Sequence, residues 1–266
     1  MIGPVTAELS FDADALASPP RVVRRACALA QDPQADAAAM ARLAVFDPAL
    51  TARLLAQAND PRWGQSGLVD CVARAVAVLD LATLRRLMQG LPAPAATPEE
   101  RCMLEAQWHL DVHAAVAARA VALQGGRGRP HVVFTAGLLL GTGERALRLR
   151  ALAGRAAPRG PFDPARAGGA LLAAWRLPDC LCACVACHRE PLKARSFRAE
   201  VAIAHIARAL ADLAVQGSED FRSAPAVESE AWLRAGLTPA EGLALLAAVR
   251  EQAAAAHRLF GDSSGR

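Results

Sequence analysis

The 266-residue sequence has no tyrosine, a single lysine (Lys193), and only 4% aromatic residues. Strands favour aromatic and β-branched side chains, so this poverty argues against a sheet protein. No apolar run approaches the roughly 18 residues of a membrane span. The first twenty residues carry Asp12 and Asp14 and lack a charged leader, so no secretory signal is expected and the chain reads as cytoplasmic. A disulfide framework is also missing: the seven cysteines are an odd number, and in a reducing compartment they read as free thiols. A strong charge bias is absent too, since arginines are scattered among acids and the net charge is +4, which weighs against nucleic acid as a partner.

What the chain has is alanine, about a quarter of its residues, with 53% hydrophobic letters overall. Alanine loses no side-chain entropy in a helix, and the chain is apolar enough to fold. Helical spacing joins Val22, Val23, Ala26 and Leu29 and stops before Asp32-Pro33. Further helices are expected through Met40 and Leu43, from Asp47-Pro48 to Asn59, over Val69 to Leu79, and after a cap at Asp80. Residues 91–98, LPAPAATP, read as a linker. Beyond it a long helix covers Glu99 to Leu123, with others at Val132 to Leu140, Ala165 to Trp175, up to Arg189, and Phe197 to Val215. Gly141 to Pro164 reads as irregular, and the residues around Thr238-Pro239 as a helical appendix with a polar frayed end. The expected units are 11–92, 99–215 and a C-terminal extension at 226–260.

The run from Asp47 to Asn59 (DPALTARLLAQAN) resembles the signature of the HDOD domain, a bacterial regulatory module related to HD phosphohydrolases. Ala75 to Arg85, Trp108, the segment Phe134 to Leu139, and Trp175-Arg176-Leu177-Pro178 with His188 and Pro191 are similar to further pieces of that family, in the same order. The resemblance covers about residues 11 to 215. It implies an all-α, two-lobed fold in which an N-terminal helical bundle packs on a degenerate HD-like lobe, and a signalling or scaffold role.

HD enzymes bind metal through histidines and aspartates, which activate water and neutralise phosphate. At the positions implied by the resemblance, Leu110 stands for the first histidine, Leu140-Gly141 for the His-Asp pair, Pro164 for a further histidine, Arg189 for the second of a His-His pair, and Arg208 for a late aspartate. His109 and His113 flank Leu110, and only His188 matches. No catalytic or metal-binding residue and no cofactor is therefore expected. His188, Arg189 and Arg208 form a candidate vestigial pocket, suited to an anion because two permanent cations oppose a metal.

Cys180, Cys182, Cys184, Cys187 and His188 crowd nine residues, but no second CxxC exists, so core-facing thiols are expected. Cys27, Cys71 and Cys102 read as isolated. Residues 125–129 (GGRGR) are no phosphate loop, because no strand precedes them and no Gly-Lys-Ser/Thr follows. Trp108 and Trp175 read as core anchors and His205 as a structural histidine. Arg145, Arg148, Arg150, Arg155 and Arg159 form the one basic concentration, read as a candidate docking surface.

The expected function is a non-catalytic signalling or scaffold protein whose degenerate lobe and inter-lobe groove bind a partner protein. No receiver, GGDEF or EAL domain fits in the remaining residues, so output would act in trans, with a possible link to a cyclic dinucleotide pathway and no membrane partner. The rivals are a nucleotide or anion sensor at His188, Arg189 and Arg208, and a residual metal-dependent phosphohydrolase.

Overall fold

The computed structural model describes residues 16–92, 97–152, 163–220 and 226–261, and among these there is no strand. The N-terminal lobe holds α1 (Pro20–Gln31), α2 (Ala37–Ala44), α3 (Pro48–Ala58), α4 (Val72–Val78) and α5 (Leu81–Gln89). The second lobe holds α6 (Pro98–Gly125), α7 (Pro130–Leu139), α8 (Thr142–Leu152), α9 (Pro164–Ala174), α10 (Asp179–Cys187) and α11 (Arg198–Gln216). Three more follow: α12 (Ser229–Ala235), α13 (Pro239–Ala244) and α14 (Leu246–Arg258).

Capping chemistry sets the boundaries. Asp47 accepts from the Leu50 amide at 2.8 Å ahead of Pro48, and Asp80 accepts from Thr83 at 2.7 Å. At α6, Thr97 accepts from Glu100 at 3.1 Å, and Glu99 and Glu100 favour the positive end of the helix dipole. The 28 residues of α6 run about 42 Å at 1.5 Å per residue. This helix is the spine of the molecule: α7, α11 and α14 pack along it, and Leu104, Trp108, Val112 and Val121 are fully buried.

The lobes share one contiguous core running from Leu16 to Phe260. Trp108 anchors it, donating from Nε1 to the Phe46 carbonyl at 2.9 Å across the lobe boundary. Phe46 also meets Phe134 edge-to-face, with ring centroids 5.8 Å apart.

Two sequence expectations change. Residues 142–152 form α8, although glycines and arginines made the stretch look irregular. Gly143 lets α8 cross α9 closely, since a methyl group there would lie 1.9 Å from the Pro164 carbonyl oxygen. The residues after 226 are no loose appendix: α12 packs on α11 and α14 on α6, burying Trp232, Val249 and Phe260. Phe260 meets Trp108 edge-to-face at 5.1 Å, which ties the chain's last helix to its spine.

Candidate functional site

The helix ends around Gly141 carry Leu140 and Gly141, the two positions where the resemblance would put the His-Asp pair. Leu140 is buried in the core, and a methyl group on Gly141 would lie 2.2 Å from Gln107 Nε2 and 2.5 Å from Asp111 Oδ1. An aspartate at 141 would have to displace the Gln107 and Asp111 side chains. The space is filled by a polar network, in which Gln107 Nε2 donates to Asp111 Oδ1 at 3.0 Å and Arg145 Nη2 donates to Asp111 Oδ2 at 2.6 Å. Arg145 Nη1 reaches the Ala17 carbonyl of the N-terminal lobe at 2.9 Å. Next to it, Ser18 donates to Asp47 at 2.8 Å.

Arg145 and Asp111 are 0% and 2% exposed, so this is a buried ion pair. Burial pushes the Asp111 carboxyl up to about 6, against the opposing pull of Arg145 and Gln107. Arg145 is thus not part of any docking surface: an unpaired guanidinium could not be taken out of water, and Asp111 holds it inside. Arg148 is exposed and Arg150 half-buried, whereas Arg155 and Arg159 lie outside the described residues.

A separate cavity of about 320 Å3 is lined by His188, Arg189, His205, Arg208, Ala209, Asp212 and Ala226. The three residues singled out in the sequence therefore do converge. Their charges are already spoken for: Arg189 pairs with Glu144, and Arg208 with Asp212 at 3.3 Å and Glu144 at 3.8 Å. The two cations and two carboxylates balance, so an incoming anion would have to displace an existing partner. Burial pushes the His188 imidazole down to about 4, with Arg208 and Arg189 adding to the effect, so it is neutral at physiological pH. His188 Nδ1 donates to the Val185 carbonyl at 2.9 Å. His205 is structural: Nδ1 donates to the His188 carbonyl at 2.7 Å and Nε2 accepts from the Glu228 amide at 3.1 Å.

In the cysteine run, Cys180 and Cys184 are buried core side chains. Burial lifts the Cys182 thiol to about 12 while its Sγ donates to the Leu177 carbonyl at 3.4 Å. Among the described residues, no group of three metal-ligating side chains includes them.

A larger cavity, about 530 Å3, lies between the lobes. Its walls are Val45 and Phe46 of the N-terminal lobe, Val72 at the start of α4, Leu123 of α6 and Phe134 of α7. Arg119 stands over the Phe134 ring at 5.7 Å and donates to Gln252 of α14 at 2.9 Å. Leu123 is 64% exposed at the rim. Sequence reasoning expected a groove here without naming its lining, because residues from five stretches of the chain build it.

Residues 16–153 match the HDOD domain family. The chain belongs to that family. The fold of this HDOD protein is similar to that of the MmoQ response regulator of Methylococcus capsulatus, with a TM-score of 0.67 and 25% identity over 88% of this chain and 98% of that one. It is also similar to a Campylobacter jejuni virulence factor, with a TM-score of 0.65 and 16% identity over 95% and 98% of the two chains. No curated protein matches the sequence. The HDOD assignment and the response-regulator likeness fit signalling.

Proposed function

We propose that this HDOD protein is a non-catalytic signalling adaptor that binds a partner protein in the inter-lobe groove. The observation that carries the reading is the Gln107–Asp111–Arg145 network, which fills the space beside Gly141 where a metal enzyme would need a carboxylate. The residues around Gly141 and His188 do not fit a catalytic metal: the buried Arg145 guanidinium already neutralises Asp111, and His188 alone cannot hold such an ion.

The groove supplies what a binding module needs, namely an apolar floor with few polar groups to set orientation. Phe46, Val72 and Phe134 would receive apolar side chains of the partner, and Arg119 at the rim would favour an acidic one. Arg148 and Arg150 stand as a second docking candidate. The anion-sensor reading is weaker, because the cations of the smaller cavity are matched by Glu144 and Asp212.

Site-specific photocrosslinking in the native bacterium tests the reading. A crosslinker replacing groove-lining Leu123 is expected to trap a defined signalling protein. The same group replacing Leu233, 74% exposed on α12, is not. Equal trapping at both positions, or none at Leu123, would contradict it.

A further inference from the structure

Asp70 and Cys71 end the loop that enters α4, and His131 lies in the first turn of α7. One donor atom from each, a carboxylate oxygen, a thiol sulfur and an imidazole nitrogen, lie within 4.8 Å of one another. Among the described residues this is the group of three such donors that the fold assembles, and it combines two lobes from positions 60 residues apart in sequence. Cys71, isolated in the sequence, is not isolated in space. Both Cys71 and His131 line the inter-lobe groove, so the donors are reachable, while Asp70 is 2% exposed behind them.

The surroundings suit a ligand set. Asp70 Oδ1 accepts from Arg74 at 3.1 Å and Oδ2 accepts from Arg129 at 3.0 Å, which fixes the carboxylate and leaves each oxygen a further lone pair. Metal-ligating carboxylates are commonly held this way. Arg74 and Arg129 are 55% and 49% exposed, so they oppose a cation less than the fully buried Arg145 does. Cys71 occupies the position just before α4, where burial and the Asp70 carboxylate beside it push the thiol up, so a metal would have to displace its proton. His131 is exposed.

We propose that Asp70, Cys71 and His131 form a divalent metal site of the zinc class, with a fourth position open toward the groove. A sulfur, nitrogen and oxygen set selects a borderline-soft ion over magnesium or calcium. Metal–ligand bonds of about 2.0–2.3 Å would draw the three donors to roughly 3.5 Å apart, a closure of about 1 Å from their spacing of up to 4.8 Å. On binding, the Cys71 Sγ–H bond breaks, its electron pair goes to the metal and the proton to solvent. The ion would tie the N-terminal lobe to α7 at the mouth of the groove. The proposal stands whether or not the groove binds a partner.

Cobalt(II) titration of the full, reduced, metal-free chain tests it. The expected result is one cobalt per chain, a near-ultraviolet thiolate-to-cobalt charge-transfer band, and loss of that band on adding zinc. Cys71→Ser should remove the band. His131→Ala, at an exposed position that leaves helical circular dichroism unchanged, should weaken cobalt binding at least about 10-fold. Cys102→Ser and Cys187→Ser should keep the band. A wild-type chain without the band, a band surviving in Cys71→Ser, or an unchanged affinity in His131→Ala would overturn the assignment.

Discussion

Arg145 sits inside the molecule with its charge met by Asp111, and that pairing decides how substitutions there behave. Removing one member of a buried pair strands the other, at about 3–5 kcal/mol, whereas replacing both with apolar side chains relieves much of the loss. Arg145→Met and Asp111→Leu are each expected to lower stability by about 3–5 kcal/mol, and the double variant by at least about 2 kcal/mol less than their sum. Urea unfolding of the four proteins measures this; additive losses would show that the pair is not coupled. The arginine was legible in the sequence only as a charge among other charges. Its burial depends on Asp111, 34 positions earlier on another helix, and no local pattern announces that partner. His188, Arg189 and Arg208 were placed together through the family resemblance, but their balance by Glu144 and Asp212 was not visible, since it depends on how α8 and α11 face each other.

Helix ends were the most readable feature, because a cap is a local device. Asp47, Asp80 and Pro48 act as their positions in the sequence imply, and Thr238 with Glu241 completes a reciprocal capping box. The missed helix, α8, shows the opposite case. Its one glycine looks like a breaker locally, yet Gly143 is there because α9 passes too near for any side chain. Gly143→Ala would press a methyl group against the Pro164 carbonyl, backbone that cannot rotate away. The expected loss is about 1–3 kcal/mol, read as a lower thermal midpoint. A midpoint equal to or above wild type would mean that α8 and α9 can separate without cost.

At the scale of the whole molecule, several buried histidines make the fold acid-sensitive. His188 drops from 6.5 to about 4, and His257, packed against Trp108 and His109, drops to about 3, in both cases chiefly through burial. A base held neutral by folding leaves stability full above pH 6.5 and withdraws it as pH falls toward the folded value. For His188 the loss is on the order of 3 kcal/mol between pH 6.5 and 4. Asp111 acts in the reverse sense, regaining stability as it takes a proton between about 6 and 3.8. His109, His113 and His205 are also pushed down by burial, and Asp47 and Asp212 are pushed up like Asp111, so five lowered histidines stand against three raised carboxyls. The thermal midpoint at pH 5 should fall below that at pH 7.5, and His188→Gln should flatten the slope; an equal or higher midpoint at pH 5 would refute this.

The two-lobed helical architecture was readable from the caps and the family signature together; of the expected linker at 91–98, residues 93–96 lie outside the described residues, and Thr97 and Pro98 already belong to the start of α6. The C-terminal helices were underrated because Trp232, Val249 and Phe260 are spread too thinly among alanines to look like a core-forming face. The account's central claim is that this HDOD protein works by binding and not by phosphate chemistry. Its most direct test is phosphate release by the purified full chain from nucleotides and phosphodiesters, with manganese, magnesium or ferrous iron added. The account predicts no release above buffer with any of the metals. Metal-dependent release that disappears in His188→Ala would contradict it.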